Sequence, residues 1–210
     1  IAEIAVKHDL WIIADEVYRE FAYDGNEITS FGMLSNVADR VIIIDSVSKR
    51  FSACGARVGC LISKNKDIME CALKIAQGRL CCPTLDQIGA AALYNIDRSY
   101  YADVKKEYEG RRDAVYEELM KIPGIVCRKP GGSFYIMAKL PIDDVEDFLM
   151  YLLTEFEDNG ETVMFSPAEG FYATEGLGKN EIRIAYVLKQ DDMRRGAQLI
   201  RLGLEKYKAR

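Results

Sequence analysis

Residues 41–50 read VIIIDSVSKR, and this stretch gives the clearest indication of the fold class. It opens with four consecutive apolar residues, which is typical of a strand that a parallel sheet buries on both faces. Residues 10–14, LWIIA, form a second run of the same kind. Polar side chains follow both runs, and open α/β sheets place their ligands where such strands end. The sequence therefore predicts an α/β fold with its functional residues directly after these two strands.

The spacing of the next segments predicts how the chain is organised. A third strand at 58–63 follows the second too closely for a helical crossover, so we expect it to be antiparallel. A long helix with one apolar stripe begins at Asp97 or Ser99 and connects two domains. The first domain is predicted to cover residues 1–98. The connecting helix is predicted to cover residues 99–123, and the smaller α/β domain residues 124–210.

Beyond the long helix, strand and helix patterns alternate again. We expect one helix at 145–156 and a final helix that carries Met193 and Ile200 on its apolar face. The connection over residues 166–180 is long and rich in glycine, which indicates a binding loop or a flexible edge. The predicted strands of this part lie near residues 125–127, 134–139, 162–165 and 182–187.

Charge and hydropathy disfavour two classes of partner. The 210 residues carry 33 acidic and 28 basic side chains, a formal net charge of −5. Nucleic acid is therefore not an expected partner, because no basic surplus is present to attract phosphates. The apolar runs are far shorter than the roughly 18 to 20 residues that cross a membrane. Residues 1–9, IAEIAVKHD, resemble the end of an amphipathic helix, so we expect the chain to be a piece of a longer protein.

The cysteines and the single histidine narrow the chemistry further. Six cysteines lie within apolar helix or strand patterns and form no C-x-x-C pair, which predicts reduced core thiols in a cytoplasmic protein. With His8 as the only histidine, zinc sites that use two or three histidines are excluded, and we expect no metal site. A serine or cysteine hydrolase mechanism would depend on His8 alone and is disfavoured.

Lys49 is the first candidate for a reactive group. It follows a buried strand and comes directly after Ser46 and Ser48, with Arg57 eight residues later. Partial desolvation and a nearby cation lower the pKa of a lysine, and the free amine can then attack a carbonyl to form a Schiff base. Hydroxyl groups and a guanidinium are the donors that bind a phosphate dianion. The alternative is that Lys49 and Arg57 are ordinary surface cations in a turn.

Asp15 and Tyr18 follow the other buried strand. A carboxylate at the mouth of a parallel sheet can hold a proton on a heterocyclic nitrogen, which matters for a cofactor whose ring acts as an electron sink. Tyr18 can donate a hydrogen bond to a phenolate oxygen. Taken singly, the aspartate could instead cap a helix and the tyrosine could simply pack, so the combination with Lys49 carries the interpretation.

Three motifs in order resemble those of a known family. They are ADEVY at 14–18, SVSK-x7-R-x-G at 46–59 and NEIRIA at 180–185. The set is similar to that of the pyridoxal-phosphate aminotransferases of class I and II, which have fold type I, and especially to the aspartate aminotransferase-like branch. The resemblance covers essentially the whole chain. It implies a homodimeric enzyme that acts on amino-acid and 2-oxo-acid substrates with pyridoxal 5'-phosphate.

The resemblance also implies roles for individual residues at the cofactor. Asp15 would pair with the pyridine nitrogen and Tyr18 with the ring oxygen of the cofactor. Lys49 would form the internal aldimine and exchange the substrate α-proton. Ser46 and Arg57 would bind the phosphate.

Two further arginines are implied to bind the substrate. Arg183, in the NEIRIA motif, would hold the α-carboxylate; considered alone, it could be an exposed strand cation. Arg79, in a connection that approaches the neighbouring subunit in the family, would meet a second carboxylate and favour aspartate or glutamate. The alternative for Arg79 is a solvated partner of a helix dipole.

The family's N-terminal motifs have no counterpart here. We therefore expect the C-terminal part of the large domain, with a mostly parallel sheet, plus the complete small α/β domain. The parent protein is expected to be a transaminase and this chain alone to be inactive, with about half of the active site. One alternative is a β-lyase or cyclase on the same scaffold, and another is a non-catalytic cofactor-binding or dimerisation module.

Overall fold

A computed structural model describes residues 1–210 of the chain. The chain divides into two compact units, residues 1–103 and 104–210. The boundary falls inside one helix, which runs over Ser99–Leu119. Each unit has its own sheet, with three strands in the first and four in the second. None of the helices is both long enough and apolar enough to span a membrane.

The first unit is built on a mixed sheet of strands β1 (Ile12–Asp15), β2 (Val41–Ser46) and β3 (Gly59–Ile62) in that order. β1 and β2 run parallel, with Asp15 opposite Ile44. β3 runs antiparallel to β2, which confirms the prediction from the short connection. The sheet expected to be mostly parallel therefore has one parallel and one antiparallel pair in this chain.

Five helices begin in the first unit. Asn65 starts the third because its side chain accepts a hydrogen bond from the backbone N–H of Ile68, at 3.1 Å. Ser46 starts the short second helix in the same way, through the N–H of Ser48. The helices are α1 (Ala2–Lys7), α2 (Val47–Arg50), α3 (Lys66–Arg79), α4 (Thr84–Leu93) and α5 (Ser99–Leu119).

Only one face of β1 is buried in this chain. Ile12 and Ala14 pack with Val37 and Val41 in a small core, whereas Ile13 is 71% exposed and Trp11 is 53% exposed. The prediction that these strands are buried on both faces is therefore wrong for β1, because no segment of this chain packs on its second face. β3 is exposed along its whole length.

The second unit has an antiparallel sheet, and helices α6 (Val145–Thr154) and α7 (Gln190–Lys208) contribute to its core. α6 begins at Asp144, whose carboxylate accepts from two backbone N–H groups of the first turn. The strand order is β4 (Val126–Cys127), β5 (Tyr135–Lys139), β7 (Glu181–Ala185) and β6 (Ser166–Pro167).

The strand predicted near 162–165 is wrong. Only Ser166 and the residue after it pair with β7. The side chain of Thr162 donates a hydrogen bond to the carbonyl of Leu152, and Phe165 packs against Phe148 at 5.9 Å between ring centroids. The apolar pattern of this segment thus reflects core packing of Phe165 and not a ladder.

The six cysteines are all free thiols, but none of them is a core residue. Four are exposed, and Cys82 and Cys127 are half-buried. The prediction of core thiols is therefore wrong. Cys60 lies on the exposed strand β3, and Cys71 lies on the exposed surface of α3. Burial raises the pKa of the half-buried Cys127 thiol to about 11.

Candidate active site

The parallel pairing of β1 and β2 brings two candidate residues to one edge of the sheet. The ladder continues to the backbone N–H of Glu16, which donates to the carbonyl of Ile44 at 2.9 Å. Asp15 ends β1 and Ser46 ends β2. The Asp15 carboxylate is exposed and accepts a hydrogen bond from the N–H of Val17, at 3.2 Å. A turn follows it rather than a helix, so Asp15 is not a helix cap.

Tyr18 lies in the turn that follows β1. It is half-buried, and its ring lies 6.3 Å from that of Phe21 in an edge-on arrangement. Tyr18 therefore lies three residues after Asp15, in the turn that follows the same strand.

Lys49 lies on the short helix α2, directly after the end of β2. Ser46 caps this helix, and its hydroxyl accepts from the N–H of Ser48 at 3.2 Å. Lys49 is half-buried, and its amine Nζ lies 3.9 Å from the thiol of Cys54. The Cys54 thiol in turn donates to the carbonyl of Ser48, at 3.1 Å. Cys54 therefore holds the loop after α2 against the helix that carries the lysine.

Arg57 is brought to the same place by the loop that contains Cys54. Its guanidinium donates to the carbonyl of Cys54 at 3.1 Å. Arg57 has a φ of 54°, in the left-handed region, and Ser52 has a φ of 52°. Such backbone conformations are uncommon outside glycine and cluster at functional sites. Lys49 and Arg57 thus contact opposite ends of one residue, Cys54.

Two buried charged residues next in sequence to Ser46 and Lys49 were not predicted from the sequence. Asp45 and Arg50 are 6% and 4% exposed, and their side chains lie 2.6 Å apart. The signal was present as an aspartate inside the apolar run 41–46, since a buried carboxylate needs a partner.

Arg183 lies on β7 between two aromatic rings. Its guanidinium carbon is 4.6 Å from the ring centroid of Tyr135 and 4.1 Å from that of Phe171. The side chain is half-buried, so it is not an exposed strand cation. It lines a cavity of about 350 Å³ together with Met164 and Ser166. Rings on two sides restrict the guanidinium plane and leave its edge as the donor face.

The glycine-rich connection at 166–180 holds one of these rings in place. Phe171 ends a single turn of helix, and the hydroxyl of Tyr172 donates to the carboxylate of Glu181 at 2.5 Å. Gly178 has a φ of 82°, and a Cβ there would lie 2.7 Å from the Tyr172 ring. The connection is therefore tied to β7 beside Arg183.

Arg79 is the last residue of α3 and is exposed. It lines a cavity of about 590 Å³, and Arg57 and Cys60 also line this cavity. The structure thus brings Arg79 and Arg57 to one cavity in the first unit.

Comparison with known proteins identifies the family. The family model for aminotransferase class I and II matches residues 1–200. The chain belongs to this aminotransferase family. An aspartate aminotransferase of Sulfurisphaera tokodaii is 33% identical over 93% of the chain and 48% of its own length. An aspartate aminotransferase of Bacillus subtilis is 29% identical over 99% of the chain and 52% of its length. The chain spans about half the length of these curated aminotransferases.

Solved structures of aminotransferases match the fold. The aromatic aminotransferase of Pyrococcus horikoshii gives a TM-score of 0.83 at 28% identity, over 99% of the chain and 54% of that structure. LysN, an α-aminoadipate aminotransferase of Thermus thermophilus complexed with N-(5'-phosphopyridoxyl)-L-leucine, gives 0.85 at 22% identity, over 99% of the chain and 53% of that structure. The predicted α/β fold class, that of the fold-type-I transferases, is confirmed over about half the length of these structures.

The side chains at the edge of the first sheet fit pyridoxal 5'-phosphate. A half-buried primary amine, a hydroxyl and a guanidinium lie in one loop region, at Lys49, Ser46 and Arg57. An exposed carboxylate, that of Asp15, lies at the same edge of the sheet. The hydroxyl and the guanidinium can donate to a phosphate dianion, the amine can attack a carbonyl carbon, and the carboxylate can accept from a protonated ring nitrogen.

Proposed function

We propose that this chain supplies the lysine-bearing part of a pyridoxal-phosphate-dependent aminotransferase, which transfers an amino group from an amino acid to a 2-oxo acid. The contact of Lys49 and Arg57 with the two ends of Cys54, at the edge where Asp15 also ends a strand, is the observation that carries the proposal. Family membership supports it. The transaminase activity belongs to the complete protein that contains this chain.

Lys49 moves the proton in this proposal. When bound, pyridoxal phosphate supplies a ring that withdraws electrons from the substrate α-carbon. The Lys49 amine would accept the α-proton of the amino acid and give it back later in the reaction. Helix α2 fixes the backbone position of Lys49, because Lys49 lies three residues after Ser46, which caps this helix.

Four further residues of the first unit would bind and orient the cofactor. The negative charge of Asp15 holds a proton on the ring nitrogen, and the Tyr18 hydroxyl donates to the ring oxygen. The Ser46 hydroxyl and the Arg57 guanidinium bind the phosphate by charge-assisted hydrogen bonds.

Arg183 binds the substrate α-carboxylate through its guanidinium edge. The rings of Tyr135 and Phe171 keep the guanidinium plane in a fixed orientation, which lowers the entropy lost when a carboxylate binds. Arg79 is proposed to meet a second carboxylate in the active site of the neighbouring subunit, and its exposure at the end of α3 leaves its guanidinium available for this. This would favour dicarboxylic substrates.

Two alternatives use the same residues differently. A β-lyase or cyclase would need the same amine and the same ring, so the positions of Lys49 and Asp15 do not separate it from a transaminase. A non-catalytic cofactor-binding or dimerisation module has no need of a lysine at this point. The homodimer and the cytoplasmic location stay predictions.

The complete protein, loaded with pyridoxal 5'-phosphate, tests these alternatives. Amino acids are supplied with 2-oxoglutarate, and both the new amino acid and any released ammonia are measured. A transaminase forms glutamate without ammonia, and a β-lyase releases ammonia. A cyclase consumes the amino acid without forming either product, and a non-catalytic module leaves the amino acid unchanged. Lys49→Ala is expected to abolish product formation, whereas Lys64→Ala, an exposed lysine of the same unit, is expected to leave it unchanged. Activity that survives Lys49→Ala would contradict the proposal.

A further inference from the structure

Asp45 contacts both ends of the helix that carries Lys49. One carboxylate oxygen, Oδ1, accepts a hydrogen bond from the backbone N–H of Ser46 at 2.8 Å. The other, Oδ2, accepts from the guanidinium of Arg50 at 2.6 Å. Ser46 caps α2 and Arg50 is its last residue. A single carboxylate therefore fixes the beginning and the end of the turn that contains the lysine.

The same carboxylate is connected to the segment that follows β1. The guanidinium of Arg19 lies 3.5 Å from Oδ2 of Asp45 and 3.4 Å from the carboxylate of Glu16. Glu16 also accepts hydrogen bonds from the Ser30 hydroxyl at 2.8 Å and from the N–H of Phe31 at 3.1 Å. We call Glu16, Arg19, Asp45 and Arg50 the Asp45 network.

Three members of the Asp45 network are next in sequence to a residue of the proposed site. Glu16 follows Asp15, Asp45 precedes Ser46, and Arg50 follows Lys49. Fixing one residue restricts the position of the next, because the planar peptide bond leaves only two rotatable backbone bonds per residue. Fixing three members of the network thus restricts the backbone at three residues of the site.

Stability alone does not account for this arrangement. A buried ion pair loses hydration on folding, and its replacement by well-packed apolar side chains is often neutral or stabilising. The Asp45 and Arg50 side chains are 7% and 4% exposed, so this cost applies to both. An apolar pair would not supply the two directional hydrogen bonds that Asp45 accepts, one from the N–H of Ser46 and one from Arg50 at the end of α2.

We propose that Asp45 and Arg50 are positioning residues for the reaction, and that the Asp45 network sets the placement of the Lys49 amine and the Ser46 hydroxyl relative to Asp15. This inference rests on the proposed function of those three residues. Both side chains are buried, and in this proposal both act through the backbone of their neighbours.

The test uses the double variant Asp45→Leu and Arg50→Met in the complete protein, which removes the hydrogen bonds to Ser46 and to the end of α2. It removes both buried charges, so neither is left unpaired, and we expect the fold to be retained. The matched control is Glu118→Gln in the second unit, where a carboxylate that is 3% exposed pairs with Lys121 at 2.6 Å. Each protein is measured for its unfolding temperature, its affinity for pyridoxal 5'-phosphate, and its kcat and KM.

The double variant is expected to bind pyridoxal 5'-phosphate at least about tenfold more weakly and to lose roughly 10- to 100-fold in kcat, the range expected for a misplacement of up to 1 Å. Its KM for the amino acid is expected to change less, because Arg183 lies in the other unit. The control is expected to lower the unfolding temperature without changing cofactor affinity or kcat.

A folded double variant with wild-type cofactor affinity and kcat would overturn the inference, and so would a control that loses both to the same degree. If the double variant does not fold, Arg50→Lys decides. This variant keeps the charge but not the planar fork, so a weaker affinity supports the inference and an unchanged affinity contradicts it. Borohydride reduction of the wild type separates the two proposals: an adduct on a lysine other than Lys49 refutes the proposed function itself.

Discussion

Asp15 shows how much of a residue's role depends on its charge. Its carboxylate is exposed at the end of β1, and one oxygen already accepts from the N–H of Val17. An asparagine at this position would preserve that hydrogen bond. The difference between the two side chains is therefore the negative charge. In the proposed function this charge pairs with the protonated ring nitrogen of the cofactor.

Asp15→Asn is expected to lower kcat by roughly 100-fold, or about 3 kcal/mol, the scale of a catalytic electrostatic contact. Asp15→Glu is expected to lose much less, since it keeps the charge. Steady-state kinetics of the complete protein measures both variants. Equal rates for Asp15→Asn and the wild type would refute the electrostatic role.

Sequence reasoning at this scale finds local relationships more easily than distant ones. The spacing of Lys49 from Ser46 and Arg57 is visible because all three lie within one strand, turn and loop. The Asp45 network was missed because Arg19 reaches Asp45 from 26 residues away, and a charged side chain in sequence looks the same whether it is buried or solvated. Partners that the fold brings together are not written in the local pattern.

Helix α7 tests packing at the scale of an element. A Cβ on Gly203 would collide with a side-chain methyl of Leu152 on α6, whereas a Cβ on Gly196 would meet only Val163, at an ordinary 3.8 Å. We expect Gly203→Ala to destabilise the second unit by about 1 to 3 kcal/mol through overpacking. Gly196→Ala is the matched control and is expected to be neutral or slightly stabilising, because alanine favours a helix. Chemical unfolding measures both, and equal effects would contradict this packing.

The connection after β6 is expected to respond to pH. The hydrogen bond to Glu181 raises the pKa of Tyr172 above its usual value of 10.0. The protonated hydroxyl is thus favoured in the folded state, and its contribution to stability is complete below about pH 10 and is lost as the pH rises through the raised pKa. Unfolding midpoints of the wild type and Tyr172→Phe should differ at pH 8 and converge above pH 10. A difference that stays constant over this range would show that the hydroxyl proton is not involved.

Elements were predictable where a local constraint defined them. The antiparallel direction of β3 followed from the length of the connection, and α6 followed from the helical pattern after residue 144. The prediction of a strand at 162–165 was wrong because an apolar residue such as Phe165 can pack in the core whether it lies in a loop or in a strand. A two-residue strand leaves no periodic signal.

At the scale of the whole molecule, exposed apolar surface is the main feature of the first unit. Trp11 and Ile13 are more than half exposed next to the edge strand β1, and Leu80 and Leu85 are 81% and 82% exposed. Surface of this kind promotes association, and an unpaired strand edge adds hydrogen-bonding groups. The prediction of strands buried on both faces failed for the same reason, since what covers a face is a property of the assembled molecule.

We expect the 210-residue chain, expressed alone, to form oligomers and to show no transaminase activity, because it spans about half the length of the aminotransferases that it matches. Light scattering after size-exclusion chromatography measures the association. Replacing Trp11 and Ile13 by lysine is expected to reduce the association, whereas replacing the exposed Lys7 and Lys64 by alanine is not. A monomer with robust turnover would contradict both expectations.

The assignment of Lys49 as the residue that holds the cofactor is tested most directly by chemical trapping. The complete protein is loaded with pyridoxal 5'-phosphate, reduced with sodium borohydride and digested, and the modified peptide is identified by mass spectrometry. We predict a phosphopyridoxyl group on Lys49 and its loss in Lys49→Ala. A phosphopyridoxyl group on any other lysine, or an equal yield in Lys49→Ala, would contradict the assignment.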